Sequence, residues 1–137
     1  MIYVDSNYWI YWLDSRLPEH RHVVEVMRHA ILNGIIINYI TLIEVAHYLR
    51  RLPKEEFTRR IKLMQNLSSL NMVDLDDHVT QLALDMLPEH AAKGLGGRDC
   101  VILATMQASG VRSIATHDLA FRNIEGIQVI DTIPPQV

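Results

Sequence analysis

The sequence has a single cysteine, Cys100, in 137 residues. That excludes an internal disulfide and fits a reducing compartment, the cytosol. It also excludes the thiolate sets of structural zinc. No Cys/His pair has zinc spacing, and His20 and His22 lie on a surface-like helix start. Positive charge is not in excess either: 13 Lys and Arg stand against 16 Asp and Glu, for a formal net charge of −3. The chain therefore lacks the global basic signature of many polyanion binders, and any such contact must come from a local patch or a bound cation. No apolar run approaches the roughly 18 residues of a membrane span. No basic stretch precedes an apolar core at the N-terminus, so a signal peptide is not expected. There is no linker and no low-complexity tract. Leu-Pro-Glu-His occurs at 17–20 and again at 87–90, but it is too short for a repeat and marks two helix starts.

Apolar residues, in contrast, are plentiful at 49%, enough for one compact domain with a sizeable core. Their spacing alternates between two periods. Met1 to Asp5, Ile35 to Tyr39, Asn71 to Leu75, Ser113 to Thr116 and Ile127 to Ile130 read as five short strands, mostly β-branched and apolar. Between them lie helical stripes. Trp9, Trp12 and Leu13 share a face at i, i+3, i+4, in a helix that Ser6 or Asn7 can cap. Val23, Met27 and Ile31 mark a second helix, from Pro18 to Asn33-Gly34. Thr41 and Glu44 have the spacing of a capping box for a helix reaching Leu52. Lys54 to Leu67 is helical, as is the stretch from Asp76 or Asp77 to Met86, which Pro88 is expected to kink or break. A last helix opens at Arg98-Asp99, after Gly94-Leu95-Gly96-Gly97. Strands alternating with helices predict a single α/β domain over residues 1–137, a five-stranded, mainly parallel sheet flanked by helices.

Four acids stand at informative places. Asp5 ends the first strand, Glu44 lies in the first turn after the second, Asp99 opens the last helix, and Asp118 directly follows the fourth strand. Each alone has an ordinary reading as a helix cap or a partner of the helix dipole. Together they say more. In a parallel sheet a helix starts at the carboxyl end of the strand before it, so Asp5, Glu44 and Asp118 fall at one edge, where such sheets bind ligands. Chain order alone does not bring Asp99 to them. Clustered carboxylates need protons or cations, and a donor set of oxygens alone favours hard ions such as Mg²⁺ or Mn²⁺.

Four segments, in this order and spacing, resemble the PIN domain: Ile-Tyr-Val-Asp-Ser-Asn at 2–7, Ile-Thr-Leu-Ile-Glu-Val at 40–45, Asp-Cys-Val-Ile-Leu-Ala-Thr at 99–105 and Ile-Ala-Thr-His-Asp-Leu-Ala-Phe at 114–121. Within that family they are similar to the toxins of VapBC-type toxin–antitoxin pairs. The resemblance runs from Ile2 to about Ile130 and implies a metal-dependent ribonuclease, with Mg²⁺ or Mn²⁺ held by Asp5, Glu44, Asp99 and Asp118. It also implies products with a 5′-phosphate and a 3′-hydroxyl, an antitoxin partner, a homodimer and a cytoplasmic location. Ser6, Asn7 and Thr116 are candidates to orient water or a ligand carboxylate, and Arg98 and His117 to contact phosphate. Two departures stand out. Ala120 occupies a place where many relatives have an acid or Asn, which would weaken a second metal site, and Cys100 replaces a small apolar residue. A basic segment from Arg50 to Lys62 reads equally well as substrate contact or as a solvated helix surface. Three other functions fit the chain less well: a housekeeping PIN nuclease, a non-catalytic module whose acids only cap helices, and a phosphohydrolase. The last is disfavoured because Asn7, not an aspartate, stands two residues after Asp5.

Overall fold

A computed structural model describes residues 1–136. The last position of the expected domain, 137, lies outside the described residues. The strands are β1 (Ile2–Val4), β2 (Ile35–Asn38), β3 (Leu70–Val73), β4 (Ser113–Ala115) and β5 (Gln128–Ile130). The helices are α1 (Ser6–Leu13), α2 (His20–Asn33), α3 (Tyr39–Leu49), α4 (Lys54–Gln65), α5 (Asp77–His90) and α6 (Gly97–Ser109). Short 3₁₀ turns cover Ala91–Lys93 and Leu119–Asn123.

The five strands form one sheet in the order β3-β2-β1-β4-β5, and every pair in it is parallel. The expectation of a mainly parallel sheet is thus met in full. The central strands are sealed on both faces: Tyr3, Val4, Ile35, Ile36, Ile37, Ile114 and Ala115 are all buried. Burial on both faces is what makes these strands unbroken apolar runs rather than alternating ones. The edge strand β3 is only half-buried, and it begins one residue earlier than its sequence pattern suggests.

Strand order places the site. From β1 the chain builds outward through β2 to β3, then crosses back through α5 and α6 to β4 on the other side of β1. The order reverses between β1 and β4, and a crevice opens at the carboxyl ends of strands at such a point. Asp5 follows β1 there, and Thr116 follows β4. α6 leads into the amino end of β4, so it runs against the strands and starts at the same carboxyl edge. This is the placement of Asp99 that chain order alone left open.

Pro88 and Thr41 depart from the sequence reading. Pro88 does not break α5, which continues to His90. The carbonyl that Pro88 cannot pair belongs to Leu84, an exposed residue. Thr41 does not cap α3. Asn38 does, its side chain accepting from the Ile40 N–H at 3.1 Å. Trp9 is wholly buried, its indole N–H donating to the Val4 carbonyl at 3.0 Å, and Trp12 meets it edge-on at 5.9 Å. The helical face that Trp9 and Trp12 share is core at Trp9.

Candidate active site

Asp5 is the N-cap of α1 and has no exposed surface. Its Oδ1 accepts from the Ser6 N–H at 2.7 Å, and its Oδ2 accepts from the Thr116 hydroxyl at 2.7 Å. Burial pushes its carboxyl above the ordinary range; Arg98, the Thr116 hydroxyl and the Ser6 N–H oppose that without cancelling it.

Glu44 projects from the second turn of α3, not the first, because the helix starts at Tyr39. Its Oε2 accepts from Nε of Arg98, while Oε1 is buried with no hydrogen-bond partner among the described residues. Burial raises this carboxyl too, against the pull of Arg98. A buried polar chain fixes the start of α3. The Tyr3 hydroxyl lies 2.6 Å from Thr41 Oγ1 and accepts from the Asn38 N–H at 3.1 Å, and Asn38 Nδ2 donates to Thr105 Oγ1 at 3.2 Å. Burial lifts the Tyr3 phenol to about 12, so it stays protonated.

Asp99 lies in the first turn of α6, where its Oδ2 accepts from the Gly96 N–H at 3.3 Å and so satisfies a free donor at the helix start. The ordinary capping reading is therefore correct for one of its oxygens. The other, Oδ1, accepts from Arg98.

Arg98 ties the three acids together. Nε donates to Glu44, one terminal nitrogen donates to Asp99, and the other donates to Asp5 and, at 3.3 Å, to Ser6 Oγ. Burial works against its charge, but the three carboxylates outweigh it and hold the guanidinium ionised. Arg98 thus contacts the acids rather than facing solvent as a ready phosphate contact.

Asp118 is close to this group but not part of it. Its N–H donates to Thr116 Oγ1 at 3.0 Å, and its Oδ1 caps the following 3₁₀ turn through the Ala120 N–H at 3.0 Å. Thr116 connects Asp118 to Asp5. Asn7 braces the same loop, with Nδ2 at 3.4 Å from Thr116 Oγ1 and Oδ1 accepting from the His117 N–H at 3.2 Å. Three of the four expected acids therefore meet at one guanidinium, and the fourth is reached through a threonine. Among the described residues no three His, Cys, Asp or Glu side chains are close enough to hold a metal ion as they stand, since Arg98 lies between the carboxylates.

His117 turns away from the acids. Its Nδ1 pairs with Asp131 Oδ2 at 2.8 Å. Asp131 also accepts from the Tyr8 hydroxyl at 2.9 Å, from Arg122 at 3.3 Å and from the Ile133 N–H at 3.1 Å. Burial alone would raise the Asp131 carboxyl, but these donors bring it below its ordinary value. Asp131 was missed in the sequence, yet it directly follows β5 as Asp5 follows β1, and the same signal marks it. The basic segment resolves largely as helix surface: Arg59 and Arg60 pair with Glu56, and Arg60 also reaches the Leu13 carbonyl. Cys100 is a buried core thiol, its pKa raised by that burial.

Matched against protein families, residues 2–127 fit the one described as PIN domain. No curated protein matches the sequence. Among solved structures, VapBC2 from Rickettsia felis, bound to a DNA fragment from its promoter, superposes with a TM-score of 0.74 at 21% identity, over 96% of this chain and 98% of that one. FitAcB from Neisseria gonorrhoeae gives 0.74 at 20%, over 94% and 96%. VapC20 from Mycobacterium tuberculosis, described as a sarcin–ricin loop cleaving toxin, gives 0.73 at 13%, over 93% and 98%.

Proposed function

The chain belongs to the PIN domain family, and from that premise we propose that it is a metal-dependent endoribonuclease serving as the toxin of a toxin–antitoxin pair. The observation that carries this reading is the convergence of Asp5, Glu44 and Asp99 from three separate elements onto one point at the carboxyl edge of the sheet. Helix capping explains one oxygen of Asp99 and one of Asp5, but it does not explain a half-buried Glu44 whose Oε1 is buried without a partner among the described residues. An unmatched buried acceptor among carboxylates suits a cation.

The donor set fits Mg²⁺ or Mn²⁺: it is all oxygen, rich in carboxylate, and free of the sulfur and imidazole that softer metals favour. Asp5, Glu44 and Asp99 would hold the ion, with Asp118 brought in through the Thr116 loop. When bound, the ion supplies an activated water and neutralises charge on the phosphoryl oxygens. The remaining work falls to the chain. The Ser6 N–H and the Thr116 hydroxyl fix both oxygens of Asp5, and Thr116 ties that geometry to the Asp118 backbone. Asn7 holds the loop carrying His117, so that the start of α1 and the end of β4 are tied together at the site. Burial disfavours the ionised forms of Asp5 and Glu44, so a cation that neutralises them is bound the more strongly.

The likeness to a toxin described as cleaving the sarcin–ricin loop supports RNA as the substrate in this reading, and the toxin–antitoxin complexes among the similar structures support an antitoxin partner. A homodimer and a cytoplasmic location complete the reading. Among the described residues no helix is long and apolar enough to cross a membrane.

The test is cleavage of RNA by the wild type and by Asp5→Asn, each with and without EDTA, with the cut ends sequenced. The expected result is metal-dependent cleavage by the wild type, leaving 5′-phosphates, and none by Asp5→Asn. Wild-type rates from Asp5→Asn would overturn the assignment. Growth arrest on expression separates a toxin from a housekeeping nuclease.

A further inference from the structure

Arg98 is expected from the sequence to meet substrate phosphate, yet its guanidinium is fully engaged elsewhere. All three of its nitrogens donate to carboxylates, one each to Glu44, Asp99 and Asp5. The oxygens involved, Glu44 Oε2, Asp99 Oδ1 and Asp5 Oδ1, are the ones through which the three acids converge on a single point. A divalent ion seated on these oxygens and a guanidinium hydrogen-bonded to them need the same space. We propose that Arg98 is a displaceable internal counterion: it holds the three acids together when no divalent ion is bound, and it must leave them for one to bind.

Charge supports this. Three ionised carboxylates and one guanidinium sum to −2, which keeps the pocket attractive to a divalent cation. Three carboxylates this close with no cation would repel one another strongly. Room to leave is present as well. Arg98 is the second residue of α6, its side chain is 29% exposed, and it follows two glycines. A Cβ built on Gly96 or Gly97 would meet no atom within 4 Å, so open space flanks the start of the helix. The guanidinium can swing outward without disturbing the core, while Asp99 stays anchored by its Gly96 hydrogen bond.

A competitor within the chain lowers apparent metal affinity by the fraction of molecules in which it occupies the site, and its removal restores the intrinsic value. Released at the rim, Arg98 becomes available to a phosphate, so metal loading and substrate contact are coupled through one side chain. This inference rests on the metal-dependent reading above, and the experiment separates the two.

The probe is Mn²⁺ alone, titrated calorimetrically into EDTA-stripped, dialysed wild type and Arg98→Met, with melting temperatures recorded before and after addition. Arg98→Met keeps an unbranched stem and removes the charge. It should bind Mn²⁺ about tenfold more tightly or better, melt lower than the wild type without the ion, and gain more from adding it. Arg98→Lys, with a point charge that cannot serve three carboxylates at once, should fall between. It also serves as the test protein if Arg98→Met does not fold. Equal or weaker Mn²⁺ binding by the variants, with binding by the wild type intact, overturns the counterion role and leaves the metal site standing. Absence of Mn²⁺ binding by all three proteins overturns both.

Discussion

Asp5 carries conflicting demands. It caps α1, accepts from Thr116 and Arg98, and sits where water cannot solvate its charge. Its carboxyl is raised on folding, first through burial. The sign follows directly: a carboxylate whose folded pKa exceeds its unfolded one costs stability wherever it is ionised, and that cost fades as pH falls through the folded value. Asp5→Asn removes the cost while keeping the size and an acceptor for the Ser6 N–H. At pH 7 without divalent ions, the variant is expected to melt no lower than the wild type. Differential scanning calorimetry checks this; a markedly lower melting temperature would mean that Asp5 contributes net stability through Arg98. A site that costs stability is a site kept for function, and Glu44, also raised by burial and with one oxygen unpartnered, belongs to the same class.

Among the elements, the strands and helices were legible where burial is two-sided. β1, β2 and β4 read as apolar runs because no face of them meets water, and their carboxyl-end residues follow from strand direction alone. Legibility fails where a residue serves two roles. Asn38 is at once the last residue of β2 and the cap of α3, and its buried amide is spent on Thr105, so the outward pattern favoured Thr41 as the cap instead. That shift puts Glu44 one turn deeper into its helix than the capping-box reading did. Asp99 could not be placed by chain order because the β3 to β4 crossover holds two helices, and only the direction of α6 fixes its start at the carboxyl edge. Asp131 escaped notice although it repeats the strand-then-acid pattern, because it follows the last strand and has no helix after it to cap. It joins β5 to α1 through Tyr8 and to the loop after β4 through His117. Its carboxyl is lowered despite burial, by hydrogen bonds from His117, Ile133 and Tyr8. That contribution is present above the unfolded value of about 3.9 and is lost as pH falls through the folded value. Asp131→Asn is therefore expected to cost about 1–3 kcal/mol at pH 7 and to flatten the acid limb of the stability curve. Urea midpoints for the two proteins at pH 7 and pH 3 measure it; an unchanged difference between the two pH values would contradict the assignment.

At the scale of the whole molecule, a net charge of −3 and an acidic pocket make an unlikely-looking partner for a polyanion, and the fold resolves this by concentrating its acids. Strand order reverses beside β1, so the carboxyl ends of β1 and β4 and the starts of α3 and α6 come to one edge. Three acids separated by up to 94 positions in sequence meet there at a single cation, Arg98, which on the proposal above occupies the place of a divalent ion. The whole account therefore turns on whether that pocket binds a divalent ion through Asp5. Calorimetric titration of Mn²⁺ into the wild type and into Asp5→Asn measures this without reference to RNA or to an antitoxin. Saturable binding by the wild type that is lost, or weakened by about 100-fold, in Asp5→Asn is the predicted result. No binding by the wild type, or equal binding by both proteins, would contradict it.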